Sequence, residues 1–388
     1  MIVKHQPRKV WIYWFFENLW GNFEVNADPI RRQNVMLSGF LGTTLGLYET
    51  TTGDGRFSLP GALEFRWNSR HVWRYGFDEI ARAIRHNLLT ADRGWHLSSC
   101  EPNWLFAFCN TVSMNTLITH DRLHGTAYAQ DCQEKFAEAI NREFTSTDGR
   151  LKLVRSTRLG VAIGAPALVS DSQMSTVIRP FAPELADRLW IIMREEYLDP
   201  HGPRLIREQS TFDTVDPGNY TKNSVGLYAA IISGANEVGD REVAERPMGE
   251  LTEQHPPRWD AGRLTFGGVS VFHHAYLARA LMGRRGSYLD AVCRGMPDRW
   301  ASGPRISAVP YPDVVVSRAV SDGRNLEAVL VPGNNRGRFA LELERLQPGV
   351  TYTVDGAVDR SLTATGAGSA TVEMDIDQRA ELRVWTTG

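Results

Sequence analysis

Cysteine is scarce in this 388-residue chain, with four residues at positions 100, 109, 132 and 293. They are too few and too scattered for a disulfide framework. Charge of one sign is also lacking, since the formal net charge is −2, and this removes the usual reason to expect nucleic acid or an anionic membrane as partner. No apolar run is long enough to span a bilayer. The opening "MIVKHQPRKVWIYWFF" has neither the clean apolar core nor the small-residue cleavage site of a secretory leader. A cytoplasmic location is therefore expected, unless a leader lies upstream of this start.

Aromatic residues, in contrast, are plentiful. Eleven Trp and 16 Phe suit either a cavity with aromatic walls or plain core packing. The composition changes near residue 304. Beyond it come "DVVVSRAV", "NLEAVLVPG", "RFALELERL", "VTYTVDG", "SATVEMDI" and "AELRVWT". Such β-branched stretches between turn residues predict a small antiparallel β-sandwich over 310–388, with nothing resembling chemistry in it.

Residues 1–303 read as helical hairpins. Asp28-Pro29, Glu101-Pro102 and Asp216-Pro217 each match the signature of an acidic cap followed by proline at the first helical position. Gly53, Gly125 and Gly239 mark helix ends. Long apolar segments flecked with Gly, Ser and Ala alternate with charged amphipathic ones such as "GFDEIARAIRHNLL", "AQDCQEKFAEAINREF" and "ELADRLWIIMREEYL". That alternation predicts a mainly α protein whose helical domain is an α/α toroid, an (α/α)6-barrel-like ring with inner and outer helices. The ring comes out short of twelve helices, so either it is incomplete or helices lie on its N-terminal side, and a neighbouring subunit in a homo-oligomer would cover the open edge. Parallel inner helices would gather Asp28, Cys100, Glu101 and Asp216 around one mouth, where helix N-termini favour anions and lower thiol pKa values.

The stretch "HLSSCEPNWLFAFCNT" carries Cys100 and Cys109. As one helix over 102–124, rising about 1.5 Å per residue, it would hold Cys109 about 10 Å from Pro102 along the axis. That argues against a disulfide, whose Cα atoms lie within about 7 Å. Zinc is also disfavoured, because the spacing is not CxxC and no second pair matches it. His96, His120 and His124 are near in sequence, but the last two fall where imidazole meets final helix carbonyls. Two buried thiols with no function remain an option. Cys132 and Cys293 read as structural.

Residues 10–290 resemble the linalool dehydratase/isomerase family. The likeness rests on "WGNFEVNADPIRRQNVMLSGFLGTTLGLYETTTG", "CEPNWLFAFCNTVSMNTLITHDRLHGT" and, more loosely, "DTVDPGNYTKNSVGLYAAIISGANEVGD". The resemblance implies an α/α barrel that needs no cofactor and no metal, with both cysteines, here Cys100 and Cys109, lining the pocket around an alcohol. Phe40, after Gly39, stands where the family has a pocket histidine. Expected catalytic residues are Cys100, Cys109, Glu101 and Asp28, the two carboxylates doubling as candidate helix caps. Phe40, Trp104, Phe106 and Phe108 are candidate walls. Asp213, Asp216, Asn219 and Tyr220 form a polar cluster that serves either a capped turn or the pocket.

The chemistry suits these groups. Dehydration of a tertiary or allylic alcohol needs an acid for the departing hydroxyl and a base for a carbon-bound proton, and aromatic faces tolerate developing positive charge. The expected function is a lyase or isomerase acting on a small hydrophobic alcohol or alkene, an alkenol or terpenoid, by dehydration, allylic isomerisation or related cyclisation. Two other readings stand beside it. One is a carbohydrate-active α/α-toroid enzyme using Asp28, Glu101, Asp213 and Asp216. The other is a non-catalytic binder of a hydrophobic ligand.

Overall fold

The computed structural model describes residues 5–32, 34–91, 95–164, 168–260 and 263–386. The chain divides into two units, Met1–Gln254 with Gly268–Gly295, and His255–Gly267 with Met296–Gly388. Helix makes up 44% and strand 20%, a less one-sided balance than the mainly helical class expected from sequence.

The first unit runs α1 (Arg8–Asn22), α2 (Val35–Thr52), the hairpin β1 (Leu63–Arg66) and β2 (Val72–Tyr75), α3 (Phe77–Leu89), β3 (Trp104–Phe106), α4 (Ala107–His124) and α5 (Tyr128–Ala139). It continues through β4 (Val154–Ser156), β5 (Ala162–Ile163), α6 (Leu168–Val177), α7 (Pro183–Tyr197), α8 (Val225–Val238), α9 (Arg241–Ala244), α10 (Pro247–Gln254), α11 (Val271–Leu281) and α12 (Ser287–Leu289). In α4 and α8 nearly the whole circumference is buried. By contrast α3 and α7 bury one stripe, Ile80, Ala81, Ile84 and Leu88 in the first and Leu185, Ala186, Leu189, Trp190 and Met193 in the second. The burial follows the packing. Helix α4 is flanked by α2, α6, α3 and α5, and α8 by α6, α11, α7 and α9, so these two are covered on all sides while α3 and α7 keep one face to water.

Small residues set the closest of these contacts. A Cβ built on Gly39, Gly42 or Gly46 would meet Ser113 at 3.1 Å, Thr116 at 2.3 Å and Thr119 at 2.6 Å respectively. Both series climb together, so α2 and α4 run parallel. Across the seam the Thr43 and Thr116 hydroxyls lie 2.9 Å apart, and Thr116 donates to the Gly39 carbonyl at 2.9 Å. Gly53, Gly125 and Gly239 end α2, α4 and α8 at φ of 69°, 67° and 88°, where a side chain would be strained.

The helix starts differ from the sequence expectation. None of the three acidic-proline pairs opens a helix. Asn34 caps α2, its side chain accepting from Leu37 N, α4 begins at Ala107, and α8 follows Ser224. The pairs form turns several residues upstream. Asp28 Oδ1 accepts from Ile30 N and Arg31 N, and the Asp216 carbonyl accepts from Tyr220 N at 2.8 Å. Proline's fixed φ suits the second position of a turn as well as the first position of a helix.

The second unit holds β6 (Arg258–Asp260), β7 (Arg263–Thr265), α13 (Asp298–Ser302), β8 (Arg305–Ala308), β9 (Val314–Ser321), β10 (Leu326–Pro332), β11 (Gly337–Glu344), β12 (Thr351–Asp355), β13 (Ser361–Thr363), β14 (Ala370–Ile376) and β15 (Ala380–Trp385). The strands from β8 onward form a five-stranded sheet, β13-β12-β15-β10-β9, and a three-stranded sheet, β14-β11-β8. Every pairing in both sheets is antiparallel. One hydrophobic cluster draws on both sheets, through Leu330, Leu382 and Val384 from the first and Leu341, Met374 and Ile376 from the second. All six stretches noted in the sequence are strands, and β8 and β13 are additional.

Candidate active site

The segment 97–109 is shaped by a few specific bonds. Asn110 grips Ser98 at both backbone groups, accepting from its N–H at 2.7 Å and donating to its carbonyl at 2.9 Å. Trp104 N donates to the Glu101 carbonyl at 2.9 Å and Cys100 N to the Trp104 carbonyl at 3.0 Å. Pro102 and Asn103, the latter at φ 73°, occupy the middle of that turn, as in a type II turn with proline second and a positive-φ residue third. Helix α1 holds it in place. The Trp14 indole donates to the Cys100 carbonyl at 3.0 Å, and Asn103 reaches the Gly21 carbonyl at 3.2 Å.

The turn reverses the chain before α4 starts, so the separation expected from one continuous helix is not observed. The sulfur atoms of Cys100 and Cys109 lie 3.6 Å apart. Both are free thiols, 1% and 7% exposed, with Val35, Met36 and Phe106 packed around them. The Cys109 thiol, then burial and the neighbouring Glu101 carboxylate, push the Cys100 pKa well above the ordinary thiol value, so Cys100 is a neutral thiol. It is not the activated thiolate that a helix N-terminus would have favoured.

Glu101 is half-buried. Burial raises its carboxyl pKa, Glu17 adds to the rise, and the Cys100 thiol opposes it. Tyr13, one turn before Glu17 on α1, is pushed up to about 12 by burial and its bond to Glu17, with Glu101 and Cys100 contributing. Two thiols, two carboxyls and a phenol thus come together. Tyr13, Trp14 and Glu17 are absent from the sequence expectation, because an i, i+4 Tyr–Glu pair on an aromatic helix looks like any solvated face. Phe40 and Phe108 stand with ring centroids 6.1 Å apart, and Phe40 and Trp104 are 39% and 38% exposed.

Other expected residues lie in different settings. Both Asp28 oxygens accept from the Tyr75 hydroxyl, at 2.7 and 2.6 Å, and Asp28 lines a cavity of about 600 Å³ that does not include the thiols. Asp216 is fully buried and accepts from Ser270 N and Oγ (2.8 and 2.6 Å), Gly218 N (3.0 Å) and Asn223 Nδ2 (3.1 Å). Burial would raise its pKa, but these bonds outweigh it and bring the value down to about 2. His273 Nδ1 sits 3.3 Å from the same carboxylate, while burial lowers the His273 pKa. Asn219 donates to the Gly268 carbonyl at 2.9 Å, and Tyr220 stands 87% exposed at φ 58°. Asp213 accepts from Val169 N, Ser210 N and Ser210 Oγ. It helps raise Asp171 on α6, whose burial lifts it to about 7. Asp171 carried no signal in the sequence. Among the described residues, no three His, Cys, Asp or Glu side chains group as a metal ion would require.

A buried pair of thiols thus lies beside a phenol and a carboxyl whose pKa burial raises. The family model described as "Linalool dehydratase/isomerase" matches residues 1–272, and the chain belongs to that family. Solved structures with some likeness include an unsaturated glucuronyl hydrolase from Streptococcus agalactiae, at 11% identity over 76% of this chain and 78% of that one, with a TM-score of 0.36. Another is Ara127N-Se, a GH127 β-L-arabinofuranosidase from Geobacillus stearothermophilus T6, at 10% identity over 99% of this chain and 79% of that one, also with a TM-score of 0.36. No helix among the described residues is long and apolar enough to cross a membrane.

Proposed function

We propose that the chain is a dehydratase/isomerase that acts on a terpenoid or similar alkenol without metal or cofactor, through Cys100, Cys109 and Glu101. The reading rests on the 3.6 Å approach of the two sulfurs beside a carboxyl whose pKa is raised. A protonated Glu101 or the Cys100 thiol gives its proton to the substrate hydroxyl. The C–O bond breaks and its electron pair leaves with water. Glu101, left as a carboxylate once it has protonated the hydroxyl, takes a proton from the adjacent carbon, and that C–H pair becomes the new double bond. Return of water to the far end of an allylic cation gives the isomerised alcohol. Phe40 and Phe108 form an apolar wall that stabilises developing positive charge through the ring faces. Asp28 acts one step removed, holding the loop before α2, because its carboxylate is occupied by Tyr75 and two backbone amides. Within this reading the alternating helices of the first unit form an α/α toroid and carry the chemistry. The two sheets of the second unit form a β-sandwich.

The test incubates the reduced, metal-free protein with a panel of allylic and tertiary terpenols and follows products by gas chromatography–mass spectrometry. Loss of water or a shifted double bond is expected with the wild type. Glu101→Gln, Cys100→Ala and Cys109→Ala should each lower turnover about 10²-fold or more, the usual contribution of a positioned acid or base. Full turnover in both cysteine variants would overturn the assignment.

A further inference from the structure

The cavity of about 600 Å³ in the helical unit lies within the range of about 300–1,000 Å³ found for small-molecule sites, and the proposed reaction makes no use of it. Ser99 lines it, one residue before Cys100, so one short segment separates the cavity from the thiols. The lining differs in character from the thiol site. Trp73 and Trp95 supply indole surface, while Asn87, Ser99 and Thr157 supply neutral groups that both donate and accept hydrogen bonds.

Charge narrows the ligand. Glu24 and Arg32 pair with each other at 2.7 Å and Asp28 accepts from the Tyr75 hydroxyl, which leaves Arg31 as a lining cation with no ion pair among the described residues. The side chains of Asn87, Ser99 and Thr157 are partly exposed and that of Arg31 is exposed, so these groups are open to a ligand in the cavity. Amide and hydroxyl groups open to the cavity beside indole surface match a molecule that carries hydroxyls on one side and a C–H face on the other. A hydrocarbon chain would leave those polar groups unpaired, at a free-energy cost.

We propose that this cavity is a second binding site, distinct from the thiol site, for a pyranose-sized polyhydroxylated molecule. Asn87, Ser99 and Thr157 bond its hydroxyls, and Trp73 or Trp95 lies against its C–H face. Arg31 gives a carboxylate-bearing sugar the advantage over a neutral one.

The experiment titrates the full chain with methyl glucoside, cellobiose and methyl glucuronoside, and separately with linalool. Binding is read by isothermal calorimetry and saturation-transfer NMR. Saturable one-to-one sugar binding is expected, tighter for the glucuronoside, and undisturbed by linalool. Asn87→Leu, which fills the cavity and removes two donors, should weaken it about tenfold, the effect of roughly one good hydrogen bond. Thr157→Val is the second variant, should Asn87→Leu lose its native circular dichroism, and a several-fold weakening is expected. Arg31→Gln should abolish the preference for the glucuronoside alone. No saturable binding of any sugar would overturn the proposal. So would equal affinity in wild type and a folded cavity variant, or displacement of the sugar by linalool.

Discussion

Cys100 and Cys109 are nine positions apart in the chain, yet their sulfur atoms are 3.6 Å from each other. The turn through Pro102 and Asn103 makes this possible by folding Cys100 back onto the first turn of α4. Cys109 then raises the cost of ionising Cys100, because a thiolate in this buried position would face a second sulfur and the Glu101 carboxylate.

Thiol labelling follows from that arrangement. Thiolate is the reactive form, so burial and a raised pKa both slow alkylation. Cys293 is half-buried, whereas Cys100, Cys109 and Cys132 are buried. With limiting iodoacetamide at neutral pH and peptide mass mapping, Cys293 should be modified first and Cys100 among the last. Raising the pH should speed Cys100 modification only above the ordinary thiol range, as expected of a group titrating high. Rapid labelling of Cys100 at neutral pH would mean an accessible thiolate and a different site.

The seam between α2 and α4 makes a separate claim on stability. A Cβ on residue 42 would sit 2.3 Å from the Thr116 Cγ2, and Thr116 is held by hydrogen bonds to Thr43 and the Gly39 carbonyl. Gly42→Ala should therefore cost about 1–3 kcal/mol by overpacking, despite alanine's better helix propensity. Urea unfolding measures it. Adding Thr116→Ser, which removes the clashing methyl and keeps the hydroxyl, should recover part of the loss in a double-mutant cycle. Additive effects would show that the two positions do not touch.

The same contrast between local and distant information explains what could be read from the sequence. The glycines that end α2, α4 and α8 were legible because a positive φ is a local requirement that glycine meets most cheaply. So were α3, α7 and the six β-stretches, whose burial pattern is periodic. The acidic-proline pairs mislead because the same dipeptide fits a turn or a helix start, and at Glu101-Pro102 the distinguishing residue is Asn103, which tolerates positive φ. Tyr13, Glu17 and Asp171 could not be found this way. Their significance comes from what lies across the fold, Glu101 for the first two and Asp213 for the third, and nothing local to them marks it.

His120 supplies a pH dependence with a definite sign. It is 1% exposed on α4, with Nδ1 2.9 Å from the Thr126 hydroxyl and its ring stacked on Tyr128 at 5.2 Å. Burial, helped by His124, lowers its pKa to about 4, against the pull of Asp78, Asp121 and Glu49. An unfolded chain would take up that proton near 6.5. The unfolded state therefore binds more protons between those values, and stability falls as the pH drops through that window. The group's contribution is fully present above about pH 7 and declines by about 2 kcal/mol on going to pH 5. Urea unfolding of the wild type and His120→Gln at both pH values would isolate it, because glutamine does not titrate. The wild type should lose the larger amount, and equal losses would show that His120 takes up its proton at the same pH in the folded and unfolded protein.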